Sequence, residues 1–243
     1  MKQEYLTKLV LAVRACASSF RNFMFERKRH AIIPRARTMS TLDKPLQKEQ
    51  DLDIYWNDEM ANILETWGEN NAWKEIQFLI VNCNGRILDI ACGTGKTIDI
   101  LAKYSSCEIY GCDISDFLIQ KAINRGISEK HLKVCDATRT GYENNFFNFS
   151  YSIGSLEHFT EEGIEQFIIE TSRITKISSF HMIPVSRSGA NEGWIKTLQS
   201  FHNNSSDWWM EKFKSVYGKI YLLDSSWEDD ISVGKWFVCI KED

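Results

Sequence analysis

The chain has 243 residues, 43% hydrophobic and 26% charged, which suits one large domain with an extension and excludes low-complexity, collagen-like and disulfide-scaffold classes. No run approaches the roughly 20 apolar residues of a membrane span, and the net charge of −4 argues against a general nucleic-acid binder. The charge is uneven: residues 1–50 hold 11 Lys/Arg against 4 Asp/Glu, whereas residues 51–243 hold 18 against 29.

Residues 1–50 read as a basic, partly helical N-terminal extension. Leu6, Val10, Val13, Ala17, Phe20 and Met24 recur at helical spacing, followed by Arg27-Lys28-Arg29-His30. Three readings compete for it: peripheral contact of residues 1–37 with an anionic membrane surface, an organellar presequence, or an accessory extension. Met39 could begin a shorter product that lacks this segment.

From residue 51 the pattern is that of a second unit, 51–243. Helices are predicted over Tyr55–Trp67 and Trp73–Val81, separated by Gly68-Glu69-Asn70-Asn71. Strands are predicted at Arg86–Ile90, Glu108–Cys112, Leu132–Cys135, Phe147–Ile153 and Ser179–Val185, with helices at 95–104, 115–125 and 161–174 between them. That alternation marks βαβ units and an α/β fold with a mostly parallel sheet. A helix near 206–217 then leads to a strand at Lys219–Leu223, a polar turn at Ser225–Asp230 and a last strand at Gly234–Ile240, an antiparallel pair.

The cysteines are Cys16, Cys83, Cys92, Cys107, Cys112, Cys135 and Cys239. None is spaced as a zinc-binding pair, so no metal is expected. An odd count without a secretory signal suits a reducing, cytoplasmic compartment, and Cys92, Cys112 and Cys135 read as buried thiols at strand ends.

The informative stretch is Ile87-Leu88-Asp89-Ile90-Ala91-Cys92-Gly93-Thr94-Gly95-Lys96-Thr97, a strand running through a glycine-rich turn into a helix. A phosphate-binding loop would need glycine at position 90, which is Ile90. A dinucleotide fingerprint fits Gly93 and Gly95 but meets Ile98 at its third position, although Asp113 stands where a ribose-binding acid belongs. A nicotinamide-dependent oxidoreductase therefore stays open at this point.

The run Asp89-Ile90-Ala91-Cys92-Gly93-Thr94-Gly95 resembles the first motif of the class I S-adenosylmethionine-dependent methyltransferases. Ile109–Ser115, with Asp113, looks like the second strand and its ribose-binding acid. Val134-Cys135-Asp136-Ala137 looks like the third-strand motif beside adenine, and Phe147–His158 like the fourth strand and its loop, with Asn148 where the family usually has Asp. The resemblance implies a seven-stranded, doubly wound Rossmann-like sheet and S-adenosyl-L-methionine as cofactor. The implied cofactor contacts are Asp89, Ala91, Cys92, Gly93, Thr94, Gly95, Asp113, Ile114, Asp136, Ala137 and Ile153. For Asp136, turn capping competes with adenine binding. A domain that binds the cofactor without catalysis is the other alternative.

His158, after the fourth strand, is the candidate general base, against a structural role for Glu157-His158 at the start of the next helix. His181 and His202 are weaker candidates. The acceptor is expected to be a small molecule or glycan precursor bearing a hydroxyl, with Trp56, Asn71 and His202 as binding candidates within aromatic and amide-rich segments. The whole-chain pattern, with Asp224-Ser225-Ser226-Trp227, further resembles methyltransferases associated with bacterial surface polysaccharides.

Overall fold

The computed structural model describes residues 57–104, 106–197 and 199–242. The N-terminal amphipathic segment, Met39 and Trp56 lie outside these residues. Two helices, α1 (Asp58–Leu64) and α2 (Ala72–Ile80), precede the sheet. Asn57 caps α1 by accepting from the Met60 amide at 2.9 Å, and Asn71 caps α2 through the Ala72 amide at 2.6 Å. The caps set both starts later or earlier than the hydrophobic pattern alone suggests.

The strands that follow are β1 (Gly85–Ile90), β2 (Cys107–Asp113), β3 (Leu132–Val134), β4 (Phe147–Ile153) and β5 (Thr175–Ser186), with helices α3 (Lys96–Leu101), α4 (Asp116–Asn124) and α5 (Glu161–Ile174) between them. A small hairpin, β6 (Trp194–Ile195) and β7 (Phe201–His202), leads to α6 (Ser206–Lys214), and β8 (Lys219–Glu228) and β9 (Ser232–Ile240) close the fold. The main sheet runs β3-β2-β1-β4-β5-β9-β8, parallel through β5, with β9 antiparallel to both β5 and β8. The seven-stranded, mostly parallel α/β sheet expected from the sequence is thus observed.

Strand order reverses at β1, whose neighbours are β2 and β4. Open α/β sheets leave a crevice at the carboxyl ends of the strands at such a switch point. Ile87, Leu88 and Ile90 of β1 are fully buried, because helices cover both faces of a parallel sheet. One core packs α2 and α3 against one face, around Ile76, Leu101, Phe149 and Trp236, and the other packs α5 and α6, around Phe167, Trp209, Phe213 and Phe237.

The expected polar turn at Ser225–Asp230 is moved. β8 continues to Glu228 through a register shift between Asp224 and Glu228. The cause is tertiary: Glu75 on α2 accepts hydrogen bonds from Ser225 Oγ (2.7 Å), Ser226 N (2.6 Å) and Ser226 Oγ (2.6 Å), and from Trp236 Nε1 at 2.7 Å on β9. Trp227 then turns inward against Trp67, ring centroids 5.5 Å apart. The reversal itself is Asp229–Ile231, where Asp229 Oδ1 accepts from the amides of Ile231 and Ser232.

Candidate functional site

The chain leaves β1 through three left-handed residues, Ala91 (φ 59°), Gly93 (φ 54°) and Gly95 (φ 71°), before entering α3. Glycine adopts this region without penalty, whereas Ala91 holds it as strained backbone. Two hydrogen bonds keep the loop in place, Cys92 N to Cys112 O at 2.9 Å and Gly95 N to Cys92 O at 3.0 Å. A methyl group on Gly95 would lie 2.4 Å from Ile127 Cδ1 and 3.0 Å from Ala122 Cβ, so this glycine lets the loop seat on α4.

Two buried carboxylates flank the loop. Asp113, at the end of β2, accepts from Gly93 N at 2.8 Å through Oδ2 and from Ser115 N at 2.9 Å through Oδ1. Burial raises its pKa, and the amide hydrogen bonds oppose that rise. A carboxylate offers about four acceptor sites, so Asp113 keeps acceptor capacity beyond its amide bonds. Asp89 is 3% exposed and its Oδ2 has no hydrogen-bond partner. Burial pushes Asp89 well above the usual carboxylate range; the Tyr151 hydroxyl opposes this and the Asp113 charge adds to it. Tyr151 is its register partner on β4 and stands close enough to ease the charge, yet outside hydrogen-bond geometry.

A latch that no sequence spacing announces closes the loop from α1. Glu65, capping the carboxyl end of α1, accepts from Thr94 Oγ1 at 2.6 Å and pairs with Arg125, whose Nε donates to Thr94 O at 3.0 Å. Burial works against the Glu65 charge, but the hydrogen bonds from Thr94 and Arg125 prevail and lower its pKa.

The loop, the ends of β2 and β4 and helix α1 surround a cavity of about 740 Å³. Of the expected cofactor contacts, Asp89, Ala91, Cys92, Gly93, Thr94, Asp113, Ile114, Asp136, Ala137 and Ile153 line it, and His158 joins them. Gly95 stands behind the loop, outside the lining, because its tight contact is with α4. Ile114 is 42% exposed, an apolar surface presented at the cavity. Asp136 Oδ1 accepts from the Thr138 amide and hydroxyl, both at 2.8 Å, which is the turn-capping role. Leu64, Trp67, Trp73, Phe159, Gln166 and Gln199 also line it, and of these Gln166 and Gln199 carry no local sequence signal.

The expected acceptor residues are dispersed. Asn71 is the α2 cap, and His202 lies in β7 between Trp194 (4.7 Å) and Trp208 (5.5 Å), away from the cavity lining. The amides around it are spoken for: Asn203 Nδ2 donates to Glu192 at 2.7 Å, and Asn204 Oδ1 accepts from Gly193 N at 2.8 Å. His181 is fully buried, bonded to Ser152 (2.8 Å) and Ser179 (3.0 Å), and burial pushes it down to about 3, a neutral core residue.

His158 is held from two sides. Its Nδ1 lies 3.0 Å from the Ser200 carbonyl, which can only accept, so Nδ1 carries the proton and Nε2 holds the lone pair in the neutral ring. Burial lowers the pKa of His158, and the Ser200 bond opposes that shift. Nε2 is 3.8 Å from Glu157 Oε1. Glu157 is 3% exposed, its Oε2 has no partner, and burial pushes it up to about 8.

Comparison with known proteins fits this geometry. Residues 87–177 match the family model described as a methyltransferase domain. The ubiquinone/menaquinone biosynthesis C-methyltransferase UbiE of Burkholderia mallei is 26% identical over 128 residues, covering 49% of this chain and 51% of that protein. The chain spans about half the length of the curated relatives it matches. Among solved structures, Haemonchus contortus phosphoethanolamine N-methyltransferase 2 in complex with S-adenosyl-L-methionine is similar at TM-score 0.59 and 16% identity, over 77% of this chain and 58% of that one. A SAM dependent methyltransferase from Aquifex aeolicus is similar at TM-score 0.54 and 13% identity, over 76% of this chain and 99% of that one. These likenesses show the fold, and the match to the methyltransferase-domain model covers residues 87–177 of it.

Proposed function

We propose that the protein is an S-adenosyl-L-methionine-dependent methyltransferase acting on a hydroxyl of a small molecule or glycan precursor. The observation that carries the reading is the unpartnered, buried Asp89 Oδ2 in the cavity lining. A buried carboxylate oxygen without a donor is costly, and a cationic amino group is the ligand that would relieve it. The remaining acceptor sites of Asp113 suit a ribose diol, and the exposed Ile114 suits an adenine face. The bound donor would supply an activated sulfonium methyl, so the protein's share is orientation, water exclusion and proton handling.

Orientation falls to the Gly93 loop and its Glu65–Arg125 latch. Proton handling falls to His158, neutral near pH 7 with its lone pair on Nε2; general-base help of this kind contributes about 10²–10⁴-fold. A sugar-like acceptor is supported by a lining that holds the Trp67 indole together with the Gln166 and Gln199 carboxamides, an apolar face and groups that bond hydroxyls. On this reading acceptor binding falls to Trp67, Gln166 and Gln199, not to Asn71 and His202. It extends to the glycan-precursor acceptors expected from the surface-polysaccharide resemblance.

Calorimetry with S-adenosylhomocysteine and with NAD tests the cofactor. Binding of the first alone is expected, and binding of NAD alone would overturn the reading. Incubation with labelled donor and a panel of hydroxylated acceptors, scored for a mass gain of one methyl, tests catalysis. A chain starting at Met39 is expected to keep S-adenosylhomocysteine affinity, consistent with separate units at 1–50 and 51–243.

A further inference from the structure

The cavity lining is acidic. Asp89, Asp113, Asp136 and Glu162 bring carboxyl groups to it, and Lys96 is the one Lys or Arg among the described residues that line it. Lys96 opens α3, at the other end of the loop that leaves β1 after Asp89. Its ammonium has three donors, and its one ion-pair partner among the described residues is Glu65 Oε2 at 3.7 Å, beyond hydrogen-bond distance. Glu65 is already served: its Oε1 accepts from Thr94 Oγ1 at 2.6 Å and pairs with the Arg125 guanidinium, whose charge balances its own. One carboxylate with Arg125 and Lys96 leaves a single positive charge in excess. The Lys96 side chain is half-buried, with the Trp73 ring centroid 5.8 Å from Nζ.

We propose that Lys96 is a carboxylate subsite of the cavity, the anion anchor that complements Asp89. Its donors are unspent and its charge is uncompensated, and in a recess a charge-assisted hydrogen bond is stronger than in open water. A singly charged carboxylate matches the single excess charge. A phosphate dianion would bring a second negative charge among the carboxyl groups of the lining, with nothing to pair it. Binding leaves the loop latched, because Thr94 and Arg125 hold Glu65 without Lys96. Two sources carry a carboxylate. An amino-acid end holds an ammonium and a carboxylate on one carbon, so a ligand whose ammonium meets Asp89 brings its carboxylate to the same loop. An acidic sugar acceptor is the other source. The first rests on the function proposed above; the subsite itself does not.

The test uses the full chain with Lys96→Met, which keeps the length of the stem and drops the charge. Calorimetry compares S-adenosylhomocysteine with its carboxyl methyl ester. Wild type is expected to prefer the free acid about tenfold or more, the worth of one charge-assisted hydrogen bond, and Lys96→Met to bind the two within about twofold. Lys96→Arg, with the charge kept, is expected to retain most of the preference. Should thermal melting show Lys96→Met unfolded, Lys96→Gln takes its place. D-glucuronate and D-glucose are then titrated into the same proteins saturated with S-adenosylhomocysteine. A glucuronate preference that Lys96→Met abolishes, with the free-acid preference intact, supports the subsite and assigns it to an acidic acceptor. A free-acid preference equal in both proteins, with no glucuronate preference in wild type, overturns the proposal. So does equal weakening of free acid and ester by Lys96→Met without a glucuronate effect, which would confine Lys96 to the Glu65 latch. Failure of S-adenosylhomocysteine to bind folded wild type overturns the cofactor reading instead; Lys96-dependent glucuronate binding to the ligand-free protein then supports the subsite, and its absence overturns it.

Discussion

Replacing Glu157 with Gln should stabilise the protein at alkaline pH. Glu157 is 3% exposed, has an oxygen without a partner and is held near 8 by burial, against an ordinary value of 4.5. The fold therefore keeps its proton over a range in which the unfolded chain has released it. Within that window the native state binds more protons, so raising the pH favours unfolding, and the loss levels off above about 8. The full difference is on the order of 5 kcal/mol, at about 1.4 kcal/mol per tenfold change in proton affinity. Between pH 6 and pH 9 the share that falls due is roughly 2–3 kcal/mol. Gln is the neutral isostere and has no such dependence. Urea unfolding at pH 6, 7.5 and 9 should show Glu157→Gln already more stable than wild type by about 2 kcal/mol at pH 6, with the gap widening to roughly 4–5 kcal/mol at pH 9. Parallel curves across that range would refute the argument, because they would mean Glu157 ionises in the fold at no cost, paired with His158 or reached by water.

Glu75→Ala should lower stability by about 2–4 kcal/mol in the same assay, since it strands the buried Trp236 indole N–H and frees the β8 irregularity; a loss under about 0.5 kcal/mol would show that the four bonds are replaced by water without penalty. Asp89→Asn should weaken S-adenosylhomocysteine binding about 10- to 100-fold by calorimetry, the worth of one buried charge-assisted hydrogen bond, with little loss of stability because a buried charge is also removed. For methyl transfer, kcat/KM should fall as pH drops through the His158 value, which lies below the usual 6.5, because protonation removes the Nε2 lone pair. A rate–pH profile of His158→Ala that keeps that acid limb would assign the limb to another group.

Period and spacing made the scaffold legible. Alternating apolar runs and helical stripes specify βαβ units whatever the details of packing. The pattern Asp89…Gly93-Thr94-Gly95, with Asp113 and Asp136 downstream, marked the ends of three strands where such a sheet binds ligands, and all of these except Gly95 line the cavity. These signals are local: a strand end, a positive-φ turn and an acid are set by residues a few positions apart. The end of β8 was illegible for the opposite reason. Ser225 and Ser226 read as a turn until Glu75, 150 positions away, supplies the acceptors that keep the strand going.

The same division runs through the site. By itself the sequence determined an α/β sheet, a glycine-rich turn at the end of its first strand and the carboxylates that follow. The tertiary structure decided which polar groups remain available. Asn71, a binding candidate, is consumed by a helix cap, and Asn203 and Asn204, the neighbours of His202, by a hairpin, whereas Gln166 and Gln199, unremarked in the sequence, line the cavity. Burial separated His181, neutral in the core, from His158, whose proton is fixed by the Ser200 carbonyl. A hydrogen-bonding group is spent on whatever lies within about 3 Å of it, and across long sequence separations only the folded chain sets that distance.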